Sequence, residues 1–299
     1  MPVRDFVLLV GVCILWASNN VVSKYAISVL GVAPMAYAAL RFVLVAVLTF
    51  RWLLPAPRPY WRLALVGVLM GAGNFGLFFL GMKDATVASA AIVAQAGVPV
   101  SAIFSMLLLQ ERISRWRAFG IVLTLAGTLA IVWDGGQLAL SPGLLFIAGG
   151  ASMGALAGVL IKTIEGVSPL QLQAWVSFCS LWPLLSISAV MEPGAWHEGV
   201  WTHWQVWACV AYSGVFASLI AHTVFYGLIQ RHEATVIMPL TLMMPMFAVV
   251  MGVIFFGEAL SPRLLIGATV VLLGVLFIVL RRNQMAALMA AMRNPGTAP

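Results

Sequence analysis

The chain has 299 residues, of which 63% are apolar and only 8% are charged, whereas a soluble domain carries about 25% charged residues. Nine acids and sixteen bases cannot cover a globule of this size, and a mean hydropathy of +1.05 makes water the wrong solvent for most of it. A soluble enzyme, a DNA-binding module and a disordered regulator are excluded. The chain belongs in a lipid bilayer, where backbone groups find their partners inside helices.

A β-barrel would show short segments of alternating polarity. Runs such as LLVGVCILWA and LIGATVVLLGVLFIVL have no period of two, so the fold class is all-α membrane protein. A span needs roughly 20 apolar residues. Ten fit, at about 5–29, 34–54, 61–82, 86–109, 116–133, 143–163, 169–190, 205–229, 235–256 and 263–280. Pro34, Pro142, Pro169 and Pro262 stand near span starts, where a missing N–H costs nothing.

The first span begins after Arg4 and would pass for a cleavable signal. It reads as a transmembrane helix, because no small-x-small cleavage site follows and Asn19, Asn20 and Lys24 continue it. Trp16, Asn20 and Lys24 recur at i, i+4 and i+8 and share a face, with Asn19 and Ser23 beside it. Polar residues inside a span are costly and point to function. The stripe suits a substrate-lining face; hydrogen bonding between helices by the asparagines is the competing reading, and Lys24 by itself could snorkel to the outer surface.

In the second span, Arg41 lies seven residues past Pro34, about 10 Å along the helix. The preferred reading is structural: a reach to the interface, or a pair with Asp84 or Glu258; attraction of an anionic group is the alternative. The third span offers Asn74 and Phe78 on one face as substrate contacts, after Gly67 and Gly71. In the fourth, Pro99 cannot donate to the carbonyl of Gln95, which leaves an acceptor beside an amide at mid-depth. The ninth repeats the device at Pro239 and Pro245, the latter freeing the Thr241 carbonyl. These three prolines suit gating kinks or simple kinked packing. Gly150, Gly154 and Gly158 in the sixth span form a small-residue stripe for close helix approach. In the eighth, Gly214, Ser218, His222 and Tyr226 form another stripe, with His222 and Tyr226 as candidate substrate contacts and a structural histidine as the alternative.

The two halves repeat. Glu111-Arg112-Ile113-Ser114 precedes Gly120 and Gly127 as Glu258-Ala259-Leu260-Ser261 precedes Gly267 and Gly274, at an offset of 147 throughout. Ala85-Thr86-Val87 before Pro99 is similar to Ala234-Thr235-Val236 before Pro245. Five spans per copy is an odd number, so the copies enter the membrane with opposite orientation. Such repeats underlie alternating access around a midplane site. The division is 1–138 for the first repeat, 139–282 for the second, inverted one, and 283–299 for a cytoplasmic tail.

With the N-terminus inside, Lys83 and Arg263 fall outside, Lys24 and Arg41 within the membrane, and the other twelve of sixteen basic residues in the cytoplasm. This bias puts both termini in the cytoplasm. It also makes the net charge of +7 a topology signal rather than a nucleic-acid footprint.

All nine acids lie at or near span ends or in loops, so mid-membrane carries no carboxylate of the kind that moves protons or sodium. No nucleophile–base pair, nucleotide loop or zinc spacing is present, although His197 and His203 share a loop with Glu192 and Glu198. No cofactor, metal site or enzyme activity is expected. Cys13, Cys179 and Cys209 read as small core residues.

Ten spans, five-plus-five repeats and the Pro…Glu-x-x-Ser…Gly pattern resemble the drug/metabolite transporter superfamily, over residues 5–282. The EamA-type exporters are the nearest group, and amino-acid exporters the nearest within it. Leu15-Trp16-Ala17-Ser18 is similar to their Leu-Trp-(Gly/Ala) signature. The resemblance implies an inner-membrane exporter of small metabolites, amino acids foremost, with a cavity lined by spans 1, 3, 4, 6, 8 and 9. The small multidrug members use a glutamate in the first span, where this chain has Trp16, Asn20 and Lys24. That departure favours neutral or zwitterionic substrates and facilitated movement. A proton-coupled multidrug exporter and a sugar or purine exporter are the alternatives, with an integral-membrane enzyme as the less favoured alternative of another class.

Overall fold

The computed structural model describes residues 1–55, 58–110, 113–132, 141–164, 166–196, 199–232, 237 and 240–279, apart from the side chains at 226, 229 and 230. Nine described helices are long and apolar enough to cross a bilayer. They are α1 Val3–Val29, α2 Pro34–Leu53, α3 Tyr60–Gly81, α4 Val87–Leu109, α5 Arg115–Val132, α6 Pro142–Ile161, α7 Pro169–Met191, α8 Trp204–Phe225, which continues to Arg231, and α10 Pro262–Val279. The shorter α9 covers Met243–Phe256. Much of the start of the ninth predicted span lies outside the described residues.

Local chemistry sets the ends. Proline opens α2, α6, α7 and α10, where its fixed φ is already helical. Thr86 and Ser168 cap α4 and α7, each side-chain oxygen accepting an N–H three residues on. Gln110 and Gly257 end α4 and α9 in the left-handed conformation, at φ 56° and 62°. They stand 147 residues apart (257 − 110), the offset of the repeat, and each precedes its repeated glutamate.

The repeat is also visible in packing. A Cβ added at Gly120 would stand 2.7 Å from the Gly274 carbonyl oxygen, and one at Gly127 3.0 Å from that of Gly267. The index rises along α5 as it falls along α10, so the two helices are antiparallel. Exchanging the halves turns one glycine pair into the other, which places a pseudo-twofold axis between them, across the helix axes. Several further contacts obey the same exchange: α1 packs on α8 and α9 as α6 packs on α3 and α4, α2 on α8 as α7 on α3, and α2 on α7. The fold is therefore two inverted five-helix repeats that trade elements. One bundle is α1, α8 and α9, and the other is α6, α3 and α4. The α2–α7 and α5–α10 pairs flank them.

Large apolar side chains cover the perimeter. Val47, Val122, Ile254, Phe255 and Ile266 are each more than half exposed, a surface suited to lipid and not to water. Five helices leave regular geometry: α1 and α2 at their ends, as a π-helix at Tyr25–Val29 and a 3-10 turn at Phe50–Leu53, and three others along their length. α3 widens to a π-helix over Leu69–Gly76, α8 does so over Tyr212–Ile220, and α4 tightens to a 3-10 turn at Ala94–Ala96. The π-segments of α3 and α8 occupy corresponding helices of the two halves, and such segments cluster at functional sites.

Candidate functional site

A polar cluster lies midway along the helices. On the α1 side, Trp16 Nε1 donates to the Ala217 carbonyl of α8 at 3.2 Å. Its ring stands 5.2 Å from that of His222 and 5.0 Å from Phe225. His222 Nδ1 lies 3.0 Å from the same carbonyl. A carbonyl only accepts, so this contact puts the imidazole proton on Nδ1. One turn along α1, Asn19 and Asn20 are buried. Asn19 Oδ1 and Asn20 Nδ2 have no hydrogen-bond partner among the described residues.

On the α2 side, Tyr37 and Arg41 share a face at i, i+4. Tyr37 donates to the Cys209 carbonyl and lies 2.5 Å from Ser213 Oγ. Arg41 is 1% exposed. Its Nε donates to Ser218 Oγ at 2.8 Å, and Ser218 passes a hydrogen bond to the Ser213 carbonyl five residues back. That last contact is available because α8 is π-helical here. The guanidinium carbon sits 4.3 Å from the Phe75 ring centre, with Phe79 and Phe42 at 5.5 and 5.7 Å, within cation–π range. Arg41 thus touches α8 of one bundle and α3 of the other. It pairs with neither Asp84 nor Glu258, the partners anticipated from sequence.

The other predicted residues fall in several places. Lys24 does not join the mid-membrane cluster: its Nζ donates to the carbonyls of Met82 and Lys83 at 2.7 and 3.1 Å, capping the end of α3. Asn74 is half-buried against α6, where Gly154 and Gly150 make room for it; a Cβ on Gly154 would stand 2.9 Å from Asn74 Cγ. Gly158 meets nothing within 4 Å, so the stripe makes close contact at its first two positions only. Phe78 leans on Phe79, ring centres 6.0 Å apart. Gln95 is half-buried in the 3-10 turn just ahead of Pro99. Pro245 is the third residue of α9, and the Thr241 carbonyl accepts from the Met244 N–H at 2.9 Å. The expectation of a freed Thr241 carbonyl is therefore corrected: the proline begins a helix and does not interrupt one. Pro239 and the Tyr226 side chain lie outside the described residues.

Sequence reading did not place Arg41 against Ser218 and the α3 rings, and it passed over Tyr37 and Ser213. The available signal was the i, i+4 pair of Tyr37 and Arg41 within a span. Ser213 and Ser218 offered a weaker one, because their five-residue spacing matters only in a π-helix.

One end of the molecule is tied across the two bundles. Glu258, just beyond α9, accepts from the N–H groups of Val87 and Ala88 at the start of α4, at 2.5 and 3.0 Å. A carboxylate on a helix N-terminus is favoured by the dipole and the free N–H groups. Lys24 ties α1 to α3 beside it. At the same end, Glu192 accepts from Met35 and Ala36 at the start of α2. At the opposite end, Asp5 and His232 pair at 2.6 Å, but they join α1 to α8 within one bundle. Among the described residues, no group of three or more metal-ligating side chains occurs.

Comparison with known proteins agrees with this architecture. A solved crystal structure superposes with a TM-score of 0.63 at 19% identity, covering 98% of this chain and 100% of that one, a likeness of fold. A protein of Salmonella typhimurium named "Probable amino-acid metabolite efflux pump" is 26% identical over 92% of this chain and 94% of its own length. One of Escherichia coli (strain K12) with the same name is 23% identical over the same shares. The profile of the EamA-like transporter family matches twice, at residues 5–133 and 141–280, once for each half of the pseudo-twofold. This chain is a multi-pass membrane protein that belongs to the EamA-like transporter family.

Proposed function

We propose that this transporter exports small metabolites, amino acids foremost, across the inner membrane by alternating access around the mid-membrane cluster. The observation that carries the reading is the position of the cluster. Its side chains come from α1 and α8 of one bundle and α3 of the other, with α2 between, so a rocking of one bundle against the other would open it to either side. The names of the two efflux-pump relatives support amino acids as the substrate class. Each half, 1–138 and 139–282, acts as one repeat.

The positive-inside bias supports cytoplasmic termini. The face holding Lys24, Glu192 and Glu258 is then the outer one, and its ties across the bundles describe a state closed to the outside. Among the described residues no carboxylate belongs to the cluster, which favours facilitated movement over proton exchange. Efflux of labelled amino acids from proteoliposomes, with and without a pH gradient, tests the reading. Saturable efflux without a gradient is the expected result. Efflux only with a gradient replaces facilitation by proton coupling, with His222 as the group to examine. No efflux of any amino acid overturns the substrate class.

A further inference from the structure

The mid-membrane cluster contains a charge that its described surroundings do not neutralise. Arg41 is 1% exposed. Its described partners are neutral: Ser218 Oγ at Nε and the faces of Phe75, Phe79 and Phe42. No carboxylate reaches it among the described residues, and Nη1 has no hydrogen-bond partner there. Taking a charge out of water is costly. One hydroxyl and three ring faces recover part of that. An arriving carboxylate would recover more, because its hydrogen bonds to a guanidinium are charge-assisted and match the planar fork.

We propose that Arg41 is the anion-binding group of this transporter, taking the carboxylate of the transported molecule at the seam between α2, α3 and α8. The inference rests on the export reading above for the identity of its ligand. Lys24, the other basic residue within the spans, has its ammonium held by the Met82 and Lys83 carbonyls at the end of α3. The geometry favours the new place. Ser218 orients the guanidinium through Nε, and Nη1 is buried with no hydrogen-bond partner among the described residues. The rings cover its flat face, where a carboxylate does not bind. Because α2 bridges the bundles, a ligand on Arg41 contacts both moving parts. The substrate class that follows is small carboxylates, zwitterions included. Cations of the same size are excluded by repulsion.

The test uses the full chain in nanodiscs and isothermal titration with three sets of probes. These are the proteinogenic amino acids, their primary carboxamides, and the corresponding acids with the amino group replaced by hydrogen. At least one amino acid should bind, its carboxamide should bind at least tenfold more weakly, and Arg41→Gln should erase that difference while Arg41→Lys keeps part of it. Equal binding of acid and carboxamide by the wild-type protein overturns the role of Arg41 and leaves amino-acid export standing. Binding only of the acids without an amino group overturns the amino-acid reading and leaves Arg41 standing. Binding of no carboxylate, or undiminished acid affinity in Arg41→Gln, overturns the role of Arg41. If Arg41→Gln does not fold, Arg41→Lys decides: a reduced acid-over-carboxamide preference supports the role of Arg41, and an unchanged one overturns it.

Discussion

Gly120 of α5 and Gly274 of α10 meet backbone to backbone, so closely that a Cβ on either would stand within 3.0 Å of the other's carbonyl oxygen. Gly127 and Gly267 form the matching contact two turns away. The four glycines that reveal the repeat in sequence thus build its symmetry axis. Where lipid replaces water, helices associate through close packing and not through the hydrophobic effect, so the contact depends on the absence of side chains.

Gly120→Leu should therefore destabilise the protein by about 1–3 kcal/mol, the usual range for overpacking. Thermal unfolding of the detergent-purified protein should show a clear drop in Tm. Gly158→Ala is the control: nothing lies within 4 Å of that position, so Tm should stay within error. A Tm for Gly120→Leu equal to wild type would remove the pair as a structural seam.

Glu258→Gln should loosen the closed face. Hydrogen bonds to a charged acceptor contribute about 1.5–3 kcal/mol each, and a loss of about 1.4 kcal/mol shifts a two-state equilibrium tenfold. Ala85 lies between the two ties and is buried. In a background without native cysteines, Ala85→Cys should react several-fold faster with a membrane-impermeant maleimide when Glu258 is also changed. Unaltered labelling would mean that Glu258 caps α4 without holding the face shut.

Asn20→Ala should depress transport while leaving expression and Tm near wild type, because the amide nitrogen has no described protein partner to lose. Trp16→Phe keeps the ring beside His222 but removes the bond to the Ala217 carbonyl, a loss of about 1 kcal/mol. It should lower stability modestly and transport more. Full transport in both variants would take α1 out of the substrate path.

A fluorescent reporter that matures only in the cytoplasm, fused after Pro299, should light up, and an alkaline phosphatase fusion at the same point should be inactive. The reverse result would turn the molecule over and make the face of Lys24 and Glu258 the cytoplasmic one.

What the sequence determined by itself was whatever depends on local solvent and chain symmetry. Long apolar runs can satisfy their backbone in lipid only as helices, so the all-α class and the span positions followed from composition. The 147-residue offset of Glu111 and Glu258 carried the inverted repeat, since an odd number of spans admits no other orientation. The tertiary structure decided what each polar side chain touches. Of the readings left open for Lys24 and Arg41, the structure shows the lysine capping the end of α3 and the arginine bonded to Ser218 in the cluster. Asn74 and the glycine stripe, read as separate features, became one contact. The π-segments that bring Ser213 and Ser218 together left no periodic trace. The physical reason is common to all of these. A span that is apolar all round does not declare which face packs on which neighbour, and a buried polar group takes its meaning from that neighbour.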